Sequence, residues 1–222
     1  MGCSTSVLID GLRNGGPAHK LLDKSSTMNT DSLRYAGFWP RLGSLLLDGL
    51  ILAPYTALTI WGSSEFRLFD FYLFIPGILF SLFFYVYLVA RFGGTPGKLI
   101  VGIRIRKLNG EPVGYREAFL RNCVDLLFGI VVGIAVILPL FHMSDAEYFS
   151  LSSGARLKRI MELAPWWNRP LQWTQDIWIW GELIVLLTNR KRRAIHDFIA
   201  GTVVVYASPR PTSEPTPAPV TA

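Results

Sequence analysis

The chain has 222 residues, half of them hydrophobic, and a formal net charge of +6. Four separate apolar runs of membrane length exclude a water-soluble globular domain, because a soluble core does not need apolar stretches this long. No nucleic-acid-binding motif accompanies the excess of Lys and Arg, so we expect no nucleic-acid partner.

The two ends of the chain differ in composition from its centre. Residues 1–34 are rich in Gly, Ser and Asn with scattered charges, which predicts a mobile cytoplasmic arm. Residues 207–222 are rich in Pro and Thr, which predicts a disordered tail. The membrane domain is therefore expected at residues 35–206.

The first apolar run, Leu42–Trp61, begins directly after Arg41 and contains a single acidic residue, Asp48. At ~1.5 Å per residue this run is long enough to cross a hydrocarbon layer of ~30 Å. A carboxylate inside that layer costs about 2.5–3.5 kcal/mol, so Asp48 needs a partner or a function. Arg41 lies two helical turns away, about 10.5 Å along the axis, and is too distant to be the direct partner.

Three further apolar runs follow, at Phe71–Ala90, Cys123–Phe141 and Leu171–Thr188, and the last is interrupted by polar residues. We therefore predict an all-α, four-helix transmembrane bundle. If the four helices alternate in direction, 17 of the 22 Lys and Arg residues fall at one end of the bundle. By the positive-inside rule that end, with both termini, is cytoplasmic and contacts anionic lipid.

A patterned polar segment connects the second and third runs. Val101, Ile103 and Ile105 alternate with polar or small residues, and Asn109-Gly110 is a typical tight-turn sequence. This pattern predicts a small cytoplasmic β-hairpin that continues through Pro112-Val113. The β-branched residues 201–206 are a candidate additional strand.

The connection between the third and fourth runs is long and polar. Its segment Ala155–Ala164 places Leu157, Ile160 and Met161 at helical spacing, which predicts a short helix on the outer membrane surface.

The topology gathers several charged residues in the cytoplasmic half of the membrane. Arg41 and Asp48 lie on the first helix, Asp125 enters the third helix, and Asp197 follows the last basic cluster. His196, beside Asp197, is either a proton-relay residue or an interfacial hydrogen-bond donor. No nucleophile with a matching base and no metal-ligand spacing accompany them, so we expect no enzymatic activity, no cofactor and no metal site.

Three separated motifs carry a resemblance to a known family. They are YAGFWPRLGSLLLDGL, GGTPGKLIVGIRIRKLNGEPVGYREAFLRN and RRAIHDFIAGTVVV, and together they span residues 35–206. In this order they resemble the RDD family of membrane proteins, named for one arginine and two aspartates. The resemblance assigns these positions to Arg41, Asp48 and Asp197, and it implies transport of a ligand or an ion.

The triad has two interpretations that the sequence leaves open. It forms either a protonatable or cation-binding site in the membrane, or a buried ion-pair network that fixes the first helix against the C-terminal segment. The first predicts a multi-pass protein of the bacterial plasma membrane that transports a cation, proton or small ligand, with a homo-oligomer enclosing the path. The alternative is a scaffold or accessory protein that binds a partner or anionic lipid through its cytoplasmic hairpin.

Overall fold

The computed structural model describes residues 34–207. The predicted arm and tail lie outside these residues except for Arg34 and Ala207. In chain order the described elements are α1 (Phe38–Glu65), α2 (Phe69–Leu82), a π-helical turn (Phe83–Tyr87), α3 (Leu88–Phe92), α4 (Pro96–Ile100), β1 (Ile103–Lys107), α5 (Tyr115–His142), α6 (Asp145–Ser150), α7 (Ser153–Leu163), α8 (Asn168–Thr188), α9 (Ile195–Ile199) and β2 (Thr202–Tyr206).

Three helical stretches are long and apolar enough to cross a membrane: Phe38–Glu65, Phe69–Ile100 and Tyr115–His142. At most 22% of the most apolar part of each stretch is buried inside the protein. Their outer surfaces are therefore almost entirely apolar and exposed, which water would disfavour and lipid accepts. The protein is mostly helical and is built around these three candidate spans.

The fourth predicted run forms a helix, α8, but α8 is not among the three candidate spans. The polar residues that interrupt its apolar pattern lower its mean hydropathy; they are Gln172, Gln175, Asp176 and Glu182. The sequence prediction of a four-helix bundle is thus established for three helices only.

The predicted hairpin is replaced by a two-stranded antiparallel sheet of β1 and β2. Ile105 pairs with Val204, whereas residues after the Asn109-Gly110 turn return to β1 only through one isolated bridge, Arg106 to Pro112. Proline has no N–H to donate, so the returning segment cannot extend a ladder. Residues 202–205, the candidate additional strand, are buried and take that place instead.

The sheet lies at one end of the helical bundle, which we call the sheet end. Its buried side belongs to an apolar core that joins both strands to the helix ends; the members are Ala36, Val89, Ile103, Ile105, Val113, Ala118 and Val204. The backbone N–H of Ala36, just before α1, donates to the carbonyl of Val204 at 2.8 Å. The start of α1, the connection before α5 and the C-terminal segment are thereby held together.

The opposite end of the bundle, where residues 66–68 join α1 to α2, is called the turn end. The long polar connection after α5 folds onto it as α6 and α7. Ile160 and Leu163 of α7 pack against a buried cluster of Leu140, Met143 and Tyr148. The Tyr148 hydroxyl donates to the Ser63 carbonyl at 2.8 Å, so this connection is fastened to the end of α1.

Candidate functional site

Asp197 lies on α9 at the sheet end, and its side chain is completely buried. Its two carboxylate oxygens bind arginines from two different helices: Oδ2 accepts from Arg41 of α1 at 2.8 Å, and Oδ1 accepts from Arg121 of α5. The Ala194 N–H donates to Oδ2 at 3.0 Å and the Thr202 hydroxyl to Oδ1 at 3.3 Å. Both oxygens of Asp197 are therefore fully used within the protein.

Arg41 makes further contacts that extend this centre. Its Nη2 donates to the Arg192 carbonyl at 2.6 Å, and its Nε donates to the Ala36 carbonyl at 3.4 Å. A planar guanidinium can make several such bonds at once, which a lysine ammonium cannot reproduce with the same geometry. Arg41 thus joins the first helix to the C-terminal segment across more than 150 residues of chain.

The charges around Asp197 fix its ionised form. Burial by itself would raise the pKa of the Asp197 carboxyl, but Arg121, His196 and Arg41 together hold that pKa well below its ordinary value. A carboxylate in this state exchanges no proton at physiological pH. It stabilises the fold rather than carrying a proton.

Asp48 forms a second centre, separate from the first. Its side chain is buried, and it accepts a hydrogen bond from the Thr95 hydroxyl at 2.5 Å and from the Gly97 N–H at 2.7 Å. The Lys98 ammonium lies 4.0 Å from its Oδ2. The partners that Asp48 requires therefore come from the GGTPGK segment, where α4 folds back against α1.

The close approach of α4 to α1 depends on a glycine. A Cβ atom built on Gly97 would lie 2.8 Å from both the backbone N and the Oδ1 of Asp48, and closer still to the Ser44 carbonyl oxygen. Only glycine leaves room for the backbone N–H of residue 97 to reach the carboxylate.

The structure thus divides the triad: it brings Arg41 to Asp197 and gives Asp48 other partners. Sequence reasoning missed Arg121, Thr95 and Lys98 as members of these centres. The signal was present in the family motif itself, since Thr95, Gly97 and Lys98 all belong to its second piece. The local sequence GGTPGK gives no reason by itself to expect that its backbone binds an aspartate on another helix.

The two secondary candidates lie next to these centres. Asp125 of α5 accepts a hydrogen bond from the indole N–H of Trp178 of α8 at 3.0 Å. His196 Nδ1 lies 2.5 Å from Glu182 Oε1, and Glu182 also accepts the His196 backbone N–H at 3.1 Å. His196 and Glu182 therefore link α9 to α8.

A cavity of about 520 Å³ lies beside both centres. We call it the sheet-end cavity. Its charged and titratable lining consists of Arg41, Lys98, Arg121, Asp125, Glu182 and His196. Apolar side chains of α1, α5 and α8 complete the walls.

A second cavity of about 260 Å³, the turn-end cavity, lies between α1, α2 and α5. Its polar lining includes Tyr55, Thr59 and Asp70. The two cavities share three lining residues, Ser81, Asp125 and Leu126. Asp125 is the one acidic residue of the described chain that lines both.

Within residues 34–207 no group of three His, Cys, Asp or Glu side chains is placed to hold a metal ion.

The apolar spans and the buried charged layer at one end define an integral membrane protein. A model of the RDD family matches residues 35–201, and the chain belongs to this family. The chain is 27% identical over 180 residues to YckC of Bacillus subtilis (strain 168), which is described as uncharacterized. That alignment covers 78% of this chain and 86% of YckC. No solved structure matches the chain significantly.

Proposed function

We propose that this RDD protein transports a cation, proton or small ligand across the bacterial plasma membrane through the interior of a single chain. One observation carries the proposal: the sheet-end and turn-end cavities lie end to end, with Asp125 in the wall of both. Acidic residues inside transmembrane bundles mark substrate and ion pathways in membrane proteins.

The proposal includes a fourth crossing by α8. α8 follows α7, which packs at the turn end, and its later residue Glu182 binds His196 at the sheet end. Its 21 residues span about 31 Å at ~1.5 Å per residue, close to the hydrocarbon thickness of ~30 Å. Its polar side chains Trp178 and Glu182 meet partners on α5 and α9, which offsets their cost in lipid.

With four crossings the sheet end is cytoplasmic. It then carries 17 of the 22 Lys and Arg residues, as the positive-inside rule requires. The two ends of the described chain lie on the same side, because Tyr35 bridges to Val205 of β2.

Asp125 is better suited to carry the transported charge than either aspartate of the family motif. Asp197 and Asp48 have both carboxylate oxygens bound to neighbouring residues and are buried in the joints between helices. The described contacts of Asp125 are a single neutral hydrogen bond from Trp178 at its Oδ1. We therefore assign Arg41, Asp48 and Asp197 to holding the pathway open and Asp125 to the moving charge.

The scaffold alternative is less well supported by the fold. It needs a free cytoplasmic hairpin, but Ile105 and Val113 of that segment are buried in the core of the sheet end. The expected homo-oligomer is likewise not required for a path, since both cavities lie within one chain.

The test is a flux measurement in sealed vesicles with an internal pH-sensitive dye, under imposed Na⁺, K⁺ and pH gradients. We expect Asp125→Asn to lower the flux at least roughly tenfold, because a neutral amide cannot carry or pair the moving charge. Glu65→Gln is the control, since Glu65 is exposed at the turn end and lines neither cavity. Wild-type vesicles no leakier than protein-free vesicles, or an unaffected Asp125→Asn variant, would overturn the proposal.

A further inference from the structure

The sheet-end cavity is lined by charged residues of both signs. Arg41 lies on α1 and Lys98 on α4, which pack against each other, and Arg121 lies near them on α5. The carboxylates Asp125 and Glu182 lie on α5 and α8, which also pack against each other. The cavity therefore offers a ligand both a cationic and an anionic region.

Two buried nitrogens next to this cavity have no hydrogen-bond partner among the described residues: the amide donor Asn122 Nδ2, and His196 Nε2, which accepts when Nδ1–H faces Glu182. Both residues line the cavity. An unpaired buried donor costs about 1–3 kcal/mol, so such groups usually meet a water or a ligand. Beside Lys98 and Arg121, a negatively charged group with several acceptor oxygens is the best partner for the Asn122 amide.

The cavity is large enough for an organic ligand. Its volume of about 520 Å³ lies in the range of roughly 300–1,000 Å³ that is typical of small-molecule sites. A single water occupies only about 30 Å³ of liquid volume. An organic ligand with separated charges fills the cavity and satisfies both of its regions.

The cavity opens between α1 and α8. Leu45 of α1 and Ile179 of α8 line it, yet their side chains are 64% and 55% exposed on the surface of the bundle. This opening faces the position of the lipid chains. A ligand can therefore be a free solute or the headgroup of a lipid whose chains remain in the bilayer.

We propose that the sheet-end cavity binds a zwitterion that combines a phosphate with a primary ammonium. The phosphate binds Lys98 and Arg121 and accepts from Asn122, and the ammonium donates to Asp125 and Glu182. The claim that this zwitterion is the transported ligand rests on the proposed function. The claim that the cavity binds the zwitterion does not.

The test measures equilibrium binding to the purified full chain in detergent, with phosphoethanolamine as the probe. Three matched probes each lack one feature: glycerol 3-phosphate has no ammonium, ethanolamine has no phosphate, and phosphocholine has no N–H donor. We expect phosphoethanolamine to bind at least about tenfold more tightly than each of them. Equal affinities for all four, or no binding in either this arm or the lipid arm, would overturn the inference.

Two substitutions separate the two regions of the site. We expect Lys98→Gln to weaken phosphoethanolamine and glycerol 3-phosphate alike, and Glu182→Gln to weaken phosphoethanolamine alone, each by about tenfold. Lys107→Gln is the control, because Lys107 lies on β1 away from the cavity. Loss of all discrimination with Lys107→Gln would contradict the assignment.

A lipid arm identifies the source of the headgroup. If the ligand is a lipid, we expect nanodiscs with the protein to retain phosphatidylethanolamine in preference to phosphatidylcholine and phosphatidylglycerol. If the ligand is a solute, we expect soluble phosphoethanolamine to bind to the protein in detergent. Equal retention of all three lipids together with no soluble binding contradicts the inference. Binding without any vesicle flux refutes transport alone, whereas Asp125-dependent flux without zwitterion binding refutes this inference alone.

Discussion

At the scale of single residues, the protein compensates a buried charge with groups of its own fold. Asp197 is surrounded by Arg41 and Arg121 and by two neutral donors, so its charge is compensated inside the fold. Removing one partner of such a buried pair typically costs about 3–5 kcal/mol, because the remaining charge is left without compensation. These residues therefore matter for folding even if no ion ever contacts them.

The acid dependence of stability follows from Asp197. Burial would raise the pKa of its carboxyl, but Arg121 of α5, His196 of its own segment and Arg41 of α1 keep that pKa low. A lowered folded-state pKa gives stability that is complete above the unfolded-state pKa of about 3.9 and is lost as the pH falls further. We therefore expect the melting temperature in detergent to decrease when the pH is lowered below about 4.

The variant Asp197→Asn separates this residue from other titrating groups. It is expected to melt at a lower temperature at pH 7, because Arg41 and Arg121 lose their counter-charge, and to lose part of the decline below about pH 4. The variant Glu65→Gln, at an exposed position, serves as reference and should follow the wild type. An acid decline as steep in Asp197→Asn as in the wild type would show that another group is responsible.

At the scale of elements, the contact of α4 with α1 is the joint that the motif residues create. Thr95 and Gly97 present a hydroxyl and an N–H to Asp48, and the first turn of α4 is thereby stabilised by a carboxylate from another helix. This joint is why an acidic residue inside the first span is compatible with a stable membrane helix.

Gly97→Ala tests the joint directly. The added methyl group would overlap the backbone around Ser44 and Asp48, so we expect a loss of about 1–3 kcal/mol of unfolding free energy. Gly49→Ala, one residue after Asp48 on α1, meets no atom within 4 Å and should be neutral or slightly stabilising. Thermal unfolding of both variants in detergent measures the difference, and equal melting temperatures would contradict the joint.

At the scale of the whole molecule, each end of the bundle is closed by its own set of contacts. The sheet end is closed by the Asp197 centre and by β1–β2 pairing, and the turn end by Arg67, Tyr148 and Arg156. Arg67 Nε lies 2.6 Å from Asp145 Oδ1, and the Arg156 guanidinium lies 4.1 Å from the centre of the Tyr148 ring. The two cavities are enclosed between these ends.

Single-cysteine labelling tests the orientation of the molecule and the crossing by α8. In a chain with Cys3→Ser and Cys123→Ser, we expect Ser152→Cys at the turn end to react with a membrane-impermeant maleimide in intact cells. Asn109→Cys and Ala207→Cys at the sheet end should react only after lysis, because positive-inside orientation places that end in the cytoplasm. A protected Ser152→Cys or a labelled Asn109→Cys would contradict this topology.

Sequence reasoning succeeded where local pattern decides structure. The three apolar stretches, the helix at residues 155–164 and the family motifs are all recognisable from composition, spacing or motif order, because burial in lipid and helical periodicity act over neighbouring residues. The predicted hairpin across Asn109-Gly110 was wrong in its pairing, whereas the candidate strand at residues 201–206 was confirmed as β2, the partner of β1. Val203–Val205 lie about 100 residues further along the chain from β1 and pair with it.

The sequence by itself determined that this is a membrane protein of the RDD type and which acidic residue would need a partner. Only the tertiary structure decided the partners: Thr95 and Gly97 for Asp48, and Arg41 with Arg121 for Asp197. The physical reason is that a buried charge is stabilised by whichever groups the packing of distant helices brings within hydrogen-bonding distance. No pattern along one helix encodes that contact.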